Sequence, residues 1–180
     1  MTTPDPIDRP FDAAEAAAES LAAATGVARH DVALVLGSGW KPAADRLGEV
    51  TAEIPMVELG GFPAAAVAGH GSTVRSIRAG DRRVLAFMGR VHLYEGHHPN
   101  VVAHAVRTAV RAGCSVVVLT NAAGSLVPEV GPGGLMMLSD HINCVQASPL
   151  FGIATNKRFV DMVGAYDADL RKQLKVQSDS

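Results

Sequence analysis

The sequence predicts an α/β fold built on parallel strands, and three observations point that way. Residues 83–88 and 115–119 are short, almost wholly apolar runs, the pattern of strands buried on both faces of a sheet. Between them Val101, Val102, Ala105, Val106, Ala109 and Val110 recur at helical spacing. Each apolar run opens into a loop of glycines and small or polar residues, Gly89-Arg90 after the first and Thr120-Asn121-Ala122-Ala123-Gly124 after the second. Strand, loop, helix, strand, loop is the order of a parallel crossover.

Taken in order, residues 11–25 set alanines beside Phe11, Leu21 and acidic groups and then meet Gly26, which predicts a helix with a glycine stop that packs through its small face. Residues 31–36 read as a buried strand ending at Gly37-Ser38-Gly39. Gly60-Gly61-Phe62-Pro63 and Gly69-His70-Gly71 mark turns, and residues 73–77 alternate as a half-exposed strand does. The strand over 83–88 delivers Arg90 at its carboxyl end, where open α/β sheets bind ligands. Asn100 is placed to cap the helix that follows and Gly113 to end it. Residues 135–138 read as a further strand and residues 166–175 as an exposed helix. The expected organisation is a flexible N-terminus over 1–10, one incomplete α/β domain over 11–176, and a flexible tail over 177–180.

With 180 residues, a formal net charge of -2 and 48% apolar residues, one soluble domain with a substantial core is expected, and binding to nucleic acid by charge is excluded. Cys114 and Cys144 form no CxxC pattern, which argues against a disulfide framework or a structural zinc site; both read as small buried hydrophobes. Asp12, Glu15 and Glu19 suit neither a signal peptide nor a transit peptide, and no apolar run reaches membrane length. A cytoplasmic protein that meets its ligands in solution is the expectation.

The chemistry is densest over residues 89–97, where Arg90, His92, Tyr94, Glu95 and His97 stand between Gly89 and Gly96 or just beyond. Arg90 can hold two oxygens of a phosphate, His92 can donate to a third, and Tyr94 offers a flat face with a polar tip, as an anion beside a sugar requires. Gly37-Ser38-Gly39 can form a nest for phosphate oxygens, or simply connect two elements. A zinc site from His92, Glu95, His97 and His98 fits no familiar spacing, and Arg90 would repel the cation. His70 reads equally as a loop histidine or as a ligand of the anion; His104 reads as structural. Asn121 and Ser125 suit local backbone caps, and Trp40 either walls a pocket or covers the core.

Five blocks, Leu36-Gly-Ser-Gly-Trp40, Gly69-His70, Gly89-Arg-Val-His-Leu-Tyr-Glu-Gly96, Leu119-Thr-Asn-Ala-Ala-Gly124 and Ser139-Asp-His-Ile-Asn143, together resemble the trimeric, low-molecular-mass purine nucleoside phosphorylase family. The resemblance implies an α/β fold whose mixed, partly barrel-like sheet is flanked by helices. It implies Ser38, His70, Arg90, His92 and the backbone at Ala122 as phosphate-binding positions, with Arg90 and His92 catalytic. Tyr94 would lie against the ribose, and Phe159 would reach a neighbouring subunit's sugar pocket. The activity implied is phosphate-dependent cleavage of purine (2'-deoxy)ribonucleosides to free purine and (deoxy)ribose 1-phosphate, by a homotrimer with no metal or organic cofactor.

The sequence departs from that family in lacking its C-terminal portion, which holds the purine, and in placing Ser125 where a second glycine is usual. Impaired turnover, a phosphate- or nucleoside-binding module without turnover, and a methylthioadenosine phosphorylase-like enzyme are the alternative expectations.

Overall fold

In the computed structural model, which describes residues 3–64, 72–154 and 156–178, the alanine-rich segment folds as α1, Pro10–Thr25. Pro10 starts it with a pre-set φ and no orphaned N–H, and Gly26 ends it at φ 68°, its N–H donating to Ala22 O. Ala13, Ala14, Ala17, Ala18 and Leu21 form its buried stripe, as expected of a small face. Each buried methyl there is worth about 0.8 kcal/mol, and the short side chains let a neighbouring helix approach closely.

The chain divides into two compact units, residues 1–122 and 123–180. The first unit holds a five-stranded mixed sheet: β1 Val32–Val35, β2 Glu49–Pro55, β3 Thr73–Ala79, β4 Arg82–Phe87 and β5 Val116–Leu119. Their order is β2-β3-β4-β1-β5. β2, β3 and β4 pair antiparallel in sequence; β1 pairs parallel with both β4 and β5. A four-residue helix, α2, Lys41–Ala44, follows β1.

The apolar run of β4 covers both faces of the sheet. Leu85 and Phe87 join a core with Leu21, Leu59, Val74 and Ala109, while Val84 and Ala86 join Leu36, Ile77 and Met88 on the other side. A strand buried on both faces has no polar side to display, which is why alternation is missing from residues 83–88.

The helix between β4 and β5 is broken into α3, Pro99–Val102, and α4, His104–Arg111, and α4 packs on α1. His98, not Asn100, is its N-cap: the imidazole Nδ1 accepts the Asn100 N–H at 3.2 Å. Asn100 is buried instead, and its side-chain amide donates to Ile7 O at 3.0 Å.

Two expectations are corrected. The sheet is not barrel-like: closure would need β5 to bond back to β2, whereas among the described residues β5 bonds to β1 and β2 to β3, leaving two open edges. Residues 135–138 form no strand, because an apolar run becomes one only beside a hydrogen-bonding neighbour, and Leu135, Met136, Met137 and Leu138 are exposed without one. In this second unit the regular structure is a 3-10 turn, Asn156–Arg158, and α5, Ala168–Ser178.

Candidate anion site

Strand register assembles the site. Val35 of β1 lies beside Phe87 of β4 on one side and Leu119 of β5 on the other, all three strands running the same way. Their following loops therefore leave the same end of the sheet. Leu36 N–H donates to Phe87 O at 3.0 Å and Thr120 N–H to Val35 O at 3.0 Å, carrying the pairing one residue past the strands. Gly37 N–H then donates to Thr120 Oγ1 at 2.9 Å, which fixes the glycine loop to the loop after β5. Sequence reasoning missed this role of Thr120; a hydroxyl one residue beyond an apolar strand was its signal.

A cavity of about 240 Å³ opens where these loops meet, lined by Leu36, Gly37, Ser38, Gly39, Lys41, Ser72, Gly89, Arg90 and His92. Among the described residues two cations, two hydroxyls and an imidazole face it, with no carboxylate in the lining. Arg90 Nη1 is buried and, among the described residues, has no hydrogen-bond partner. A buried guanidinium nitrogen left this way costs stability until an acceptor reaches it.

His92 is oriented from behind. Its N–H donates to Glu95 Oε2 at 2.9 Å, and its Nδ1 stands 3.1 Å from Glu95 Oε1. A carboxylate only accepts, so Nδ1 carries the proton and Nε2 is the atom left for a ligand. The His92 N–H first, and the His92 ring second, hold the Glu95 carboxyl below the usual carboxylate range; His97 Nε2 adds its contact at 3.6 Å. Glu95 was not assigned from sequence, although a glutamate three residues after a turn-starting residue is a recognisable pattern. Tyr94 is 83% exposed and stacks on His92, ring centroids 4.7 Å apart.

Of the residues singled out from sequence, Ser38, Arg90 and His92 come together in the cavity. Ala122 stands two residues beyond Thr120 on the same loop and is not part of the lining. His70, with its Gly69-His70-Gly71 turn, lies outside the described residues. Phe159 belongs to the second unit, where it is exposed and lies 5.0 Å beneath the Arg158 guanidinium.

His104 is structural: fully buried, it puts Nε2 3.1 Å from Gly60 O and its ring 4.5 Å from that of Phe62. Ser125 serves its own backbone through Val127. Cys114 is buried, and burial pushes its thiol up to about 11, whereas Cys144 is exposed, contrary to expectation. Among the described residues no group of three or more His, Cys, Asp or Glu is placed to hold a metal ion, and no helix is long and apolar enough to cross a membrane.

Fold and cavity together are those of an α/β protein with a cationic cleft at the carboxyl ends of its parallel strands. A protein-family model described as "Phosphorylase superfamily" matches residues 31–178, and the chain belongs to that superfamily. Its similarity within it is to purine nucleoside phosphorylases. The one from a Cellulomonas species is 49% identical over 173 residues, covering 93% of this chain and 60% of that protein; the one from Mycobacterium tuberculosis is 45% identical over 175 residues, covering 97% and 63%. Among solved structures, isoform 2 of purine nucleoside phosphorylase from Schistosoma mansoni, in complex with cytosine and ribose-1-phosphate, superposes with a TM-score of 0.80 at 28% identity, covering 92% of this chain and 60% of that one. The chain thus spans about 60% of the length of these three relatives.

Proposed function

We propose that this chain carries the phosphate-binding half of a purine nucleoside phosphorylase, acting in phosphate-dependent cleavage of the N-glycosidic bond of purine (2'-deoxy)ribonucleosides. The observation that supports this best is the unpartnered, buried Arg90 Nη1 in a cavity lined by the Gly37-Ser38-Gly39 loop and His92. A tetrahedral oxyanion brings the acceptors that this nitrogen lacks. In this reading Arg90, His92, Ser38, His70 and the backbone at Ala122 hold phosphate, and Tyr94 and a neighbouring subunit's Phe159 border the sugar. A homotrimer in the cytoplasm, using phosphate as co-substrate with no other cofactor, completes the proposal.

The reaction asks two things of these residues. A phosphate oxygen forms a bond to the anomeric carbon while the bond from that carbon to the purine breaks, its electron pair leaving with the base, which takes up a proton. The sugar passes through a cationic, oxocarbenium-like state, so a phosphate fixed beside it is both nucleophile and counter-charge. Arg90 positions the anion; Nε2 of His92 either accepts from a protonated phosphate oxygen or, when the ring is charged, donates to it.

The test is hypoxanthine release from inosine with and without phosphate, together with the thermal shift on adding phosphate. Phosphate-dependent release that is lost in Arg90→Met is expected. Since Arg90→Met also removes a guanidinium whose Nη1 is buried without an acceptor among the described residues, that variant should melt at or above the parent without phosphate and gain nothing from phosphate. A parent chain with neither release nor a phosphate-induced shift would overturn the proposal.

A further inference from the structure

Lys41 is the cavity's second cation, and its charge is unspent. It follows the Gly37-Ser38-Gly39 turn, which Trp40 N–H closes on Gly37 O at 3.1 Å, and it begins α2, whose Ala44 is fully buried. The backbone that carries Lys41 is therefore anchored while the side chain stays exposed at the cavity. Among the described residues Lys41 has no ion pair or hydrogen bond, and the acidic groups in this region are engaged elsewhere: Asp45 with Arg75 at 2.7 Å, Glu95 with His92. Among the described residues nothing in the cavity lining offsets the two positive charges of Lys41 and Arg90.

We propose that Lys41 is a phosphate-binding residue that acts with Arg90 to make the cavity selective for a doubly charged oxyanion. This rests on the phosphate reading given above. The two cations differ in what they supply. Arg90 offers a planar fork that fixes how the anion sits, whereas a lysine ammonium is a compact charge on a flexible stem that follows the anion without dictating its orientation. Lys41 at the exposed side also raises the local concentration of anions and so quickens their capture, an effect that salt screens over about 10 Å at 0.1 M. Substituting it should weaken phosphate binding and lower its sensitivity to salt.

Calorimetric titration with inorganic phosphate, from about 20 to 200 mM potassium chloride, tests this on the parent chain, Lys41→Gln, Lys41→Ala and Lys41→Arg. Both neutral variants are expected to bind phosphate about tenfold more weakly at low salt and to lose affinity less steeply as salt rises, with Lys41→Arg close to the parent. Sulfate as a second probe should lose affinity in parallel, and nitrate, with one charge, should bind weakly throughout. If the parent binds phosphate and the neutral variants match it within about twofold across the salt range, Lys41 is not a phosphate ligand. A parent that binds no phosphate overturns the underlying phosphate reading and this inference together. Melting curves confirm that each variant is folded, as an exposed side chain without partners predicts.

Discussion

Gly37 and Arg90 are packed so closely that a Cβ on Gly37 would lie 2.5 Å from Arg90 Nη1. The same Cβ would stand 2.6 Å from Thr120 O and 2.9 Å from Asn121 Cα. The guanidinium can swing aside, but the Thr120 carbonyl belongs to backbone held by β5. Gly37→Ala is therefore expected to cost about 1–3 kcal/mol and to displace Arg90 from its position in the cavity. Denaturant midpoints with and without phosphate check both parts. A variant as stable as the parent, with the same phosphate-induced shift, would show that the two loops are not in contact as described.

Glu95 lies outside the cavity lining and acts through His92. Glu95→Gln keeps one acceptor oxygen but loses the charge that holds the Nδ1 proton. The expected result is a phosphate KM raised a few-fold to about tenfold, with kcat less affected. Nitrogen NMR of the ring gives the readout a merely structural role would not move. The parent should show the Nδ1–H tautomer of His92 and the variant a mixture; an unchanged tautomer would remove Glu95 from the site.

The first unit was legible in the sequence because its signals are local and physical. Gly26 stops α1, the apolar run of β4 is buried, and the loops at Gly37 and Gly89 follow strands. β5, expected to be buried on both faces, is only half-buried with Leu119 exposed, because it lies at the edge of the sheet beside β1 alone among the described residues. What was not legible depends on which strand lies beside which. The openness of the sheet follows from β5 pairing only with β1 among the described residues, and no single strand declares its neighbours. Residues 135–138, Leu-Met-Met-Leu, are as wholly apolar as β5 yet form no strand: they lack the β-branched side chains of its three valines, and hydrogen-bond partners belong to the fold and not to the run. In the site, Arg90 and His92 were readable as residue types, whereas Thr120 and Glu95 became meaningful only through a register and a turn that set them 2.9 and 3.1 Å from their partners. His98 displaced Asn100 as cap because Asn100 is drawn into the interior by Ile7 O.

His30 ties the stability of the sheet to pH. It is 1% exposed, with Nε2 2.9 Å from Ser76 Oγ. Burial first, and the Arg83 charge second, lower it from 6.5 to about 4, with Asp31 opposing. The unfolded chain therefore takes up this proton near pH 6.5 and the folded chain only near 4, so between these values the unfolded state binds more protons and stability rises with pH. The contribution is complete above about 6.5 and is lost as pH falls toward 4; the window is worth roughly 3 kcal/mol. Burial lowers His104 as well, in the same direction. Unfolding free energies at pH 7 and 4.5 should differ by about 2 kcal/mol less in His30→Gln than in the parent. Equal losses in both proteins would assign the acid sensitivity to other groups.

The two edges of the sheet are treated differently by the sequence, and the difference predicts how the chain behaves at high concentration. β2 is guarded: Glu53 pairs with Arg75 at 3.0 Å, Glu49 pairs with Arg78, the register shifts between Val50 and Ala52, and Pro55 ends the strand. Charges, a bulge and a proline are the usual means of keeping an edge from recruiting another chain. β5 has none of these. It is Val116-Val117-Val118-Leu119, hydrogen-bonded to β1 alone among the described residues, with Leu119 61% exposed. Concentration-dependent association through this edge is expected for the isolated chain. Val118 is half-buried and belongs to neither core cluster, so Val118→Lys adds a charge to the edge at little cost to packing. Light scattering at rising protein concentration should show the variant associating several-fold less, with its melting temperature within a few degrees of the parent. Scattering that rises identically in both would place the self-association on another surface, and a melting temperature many degrees lower would mean that Val118 supports the core after all.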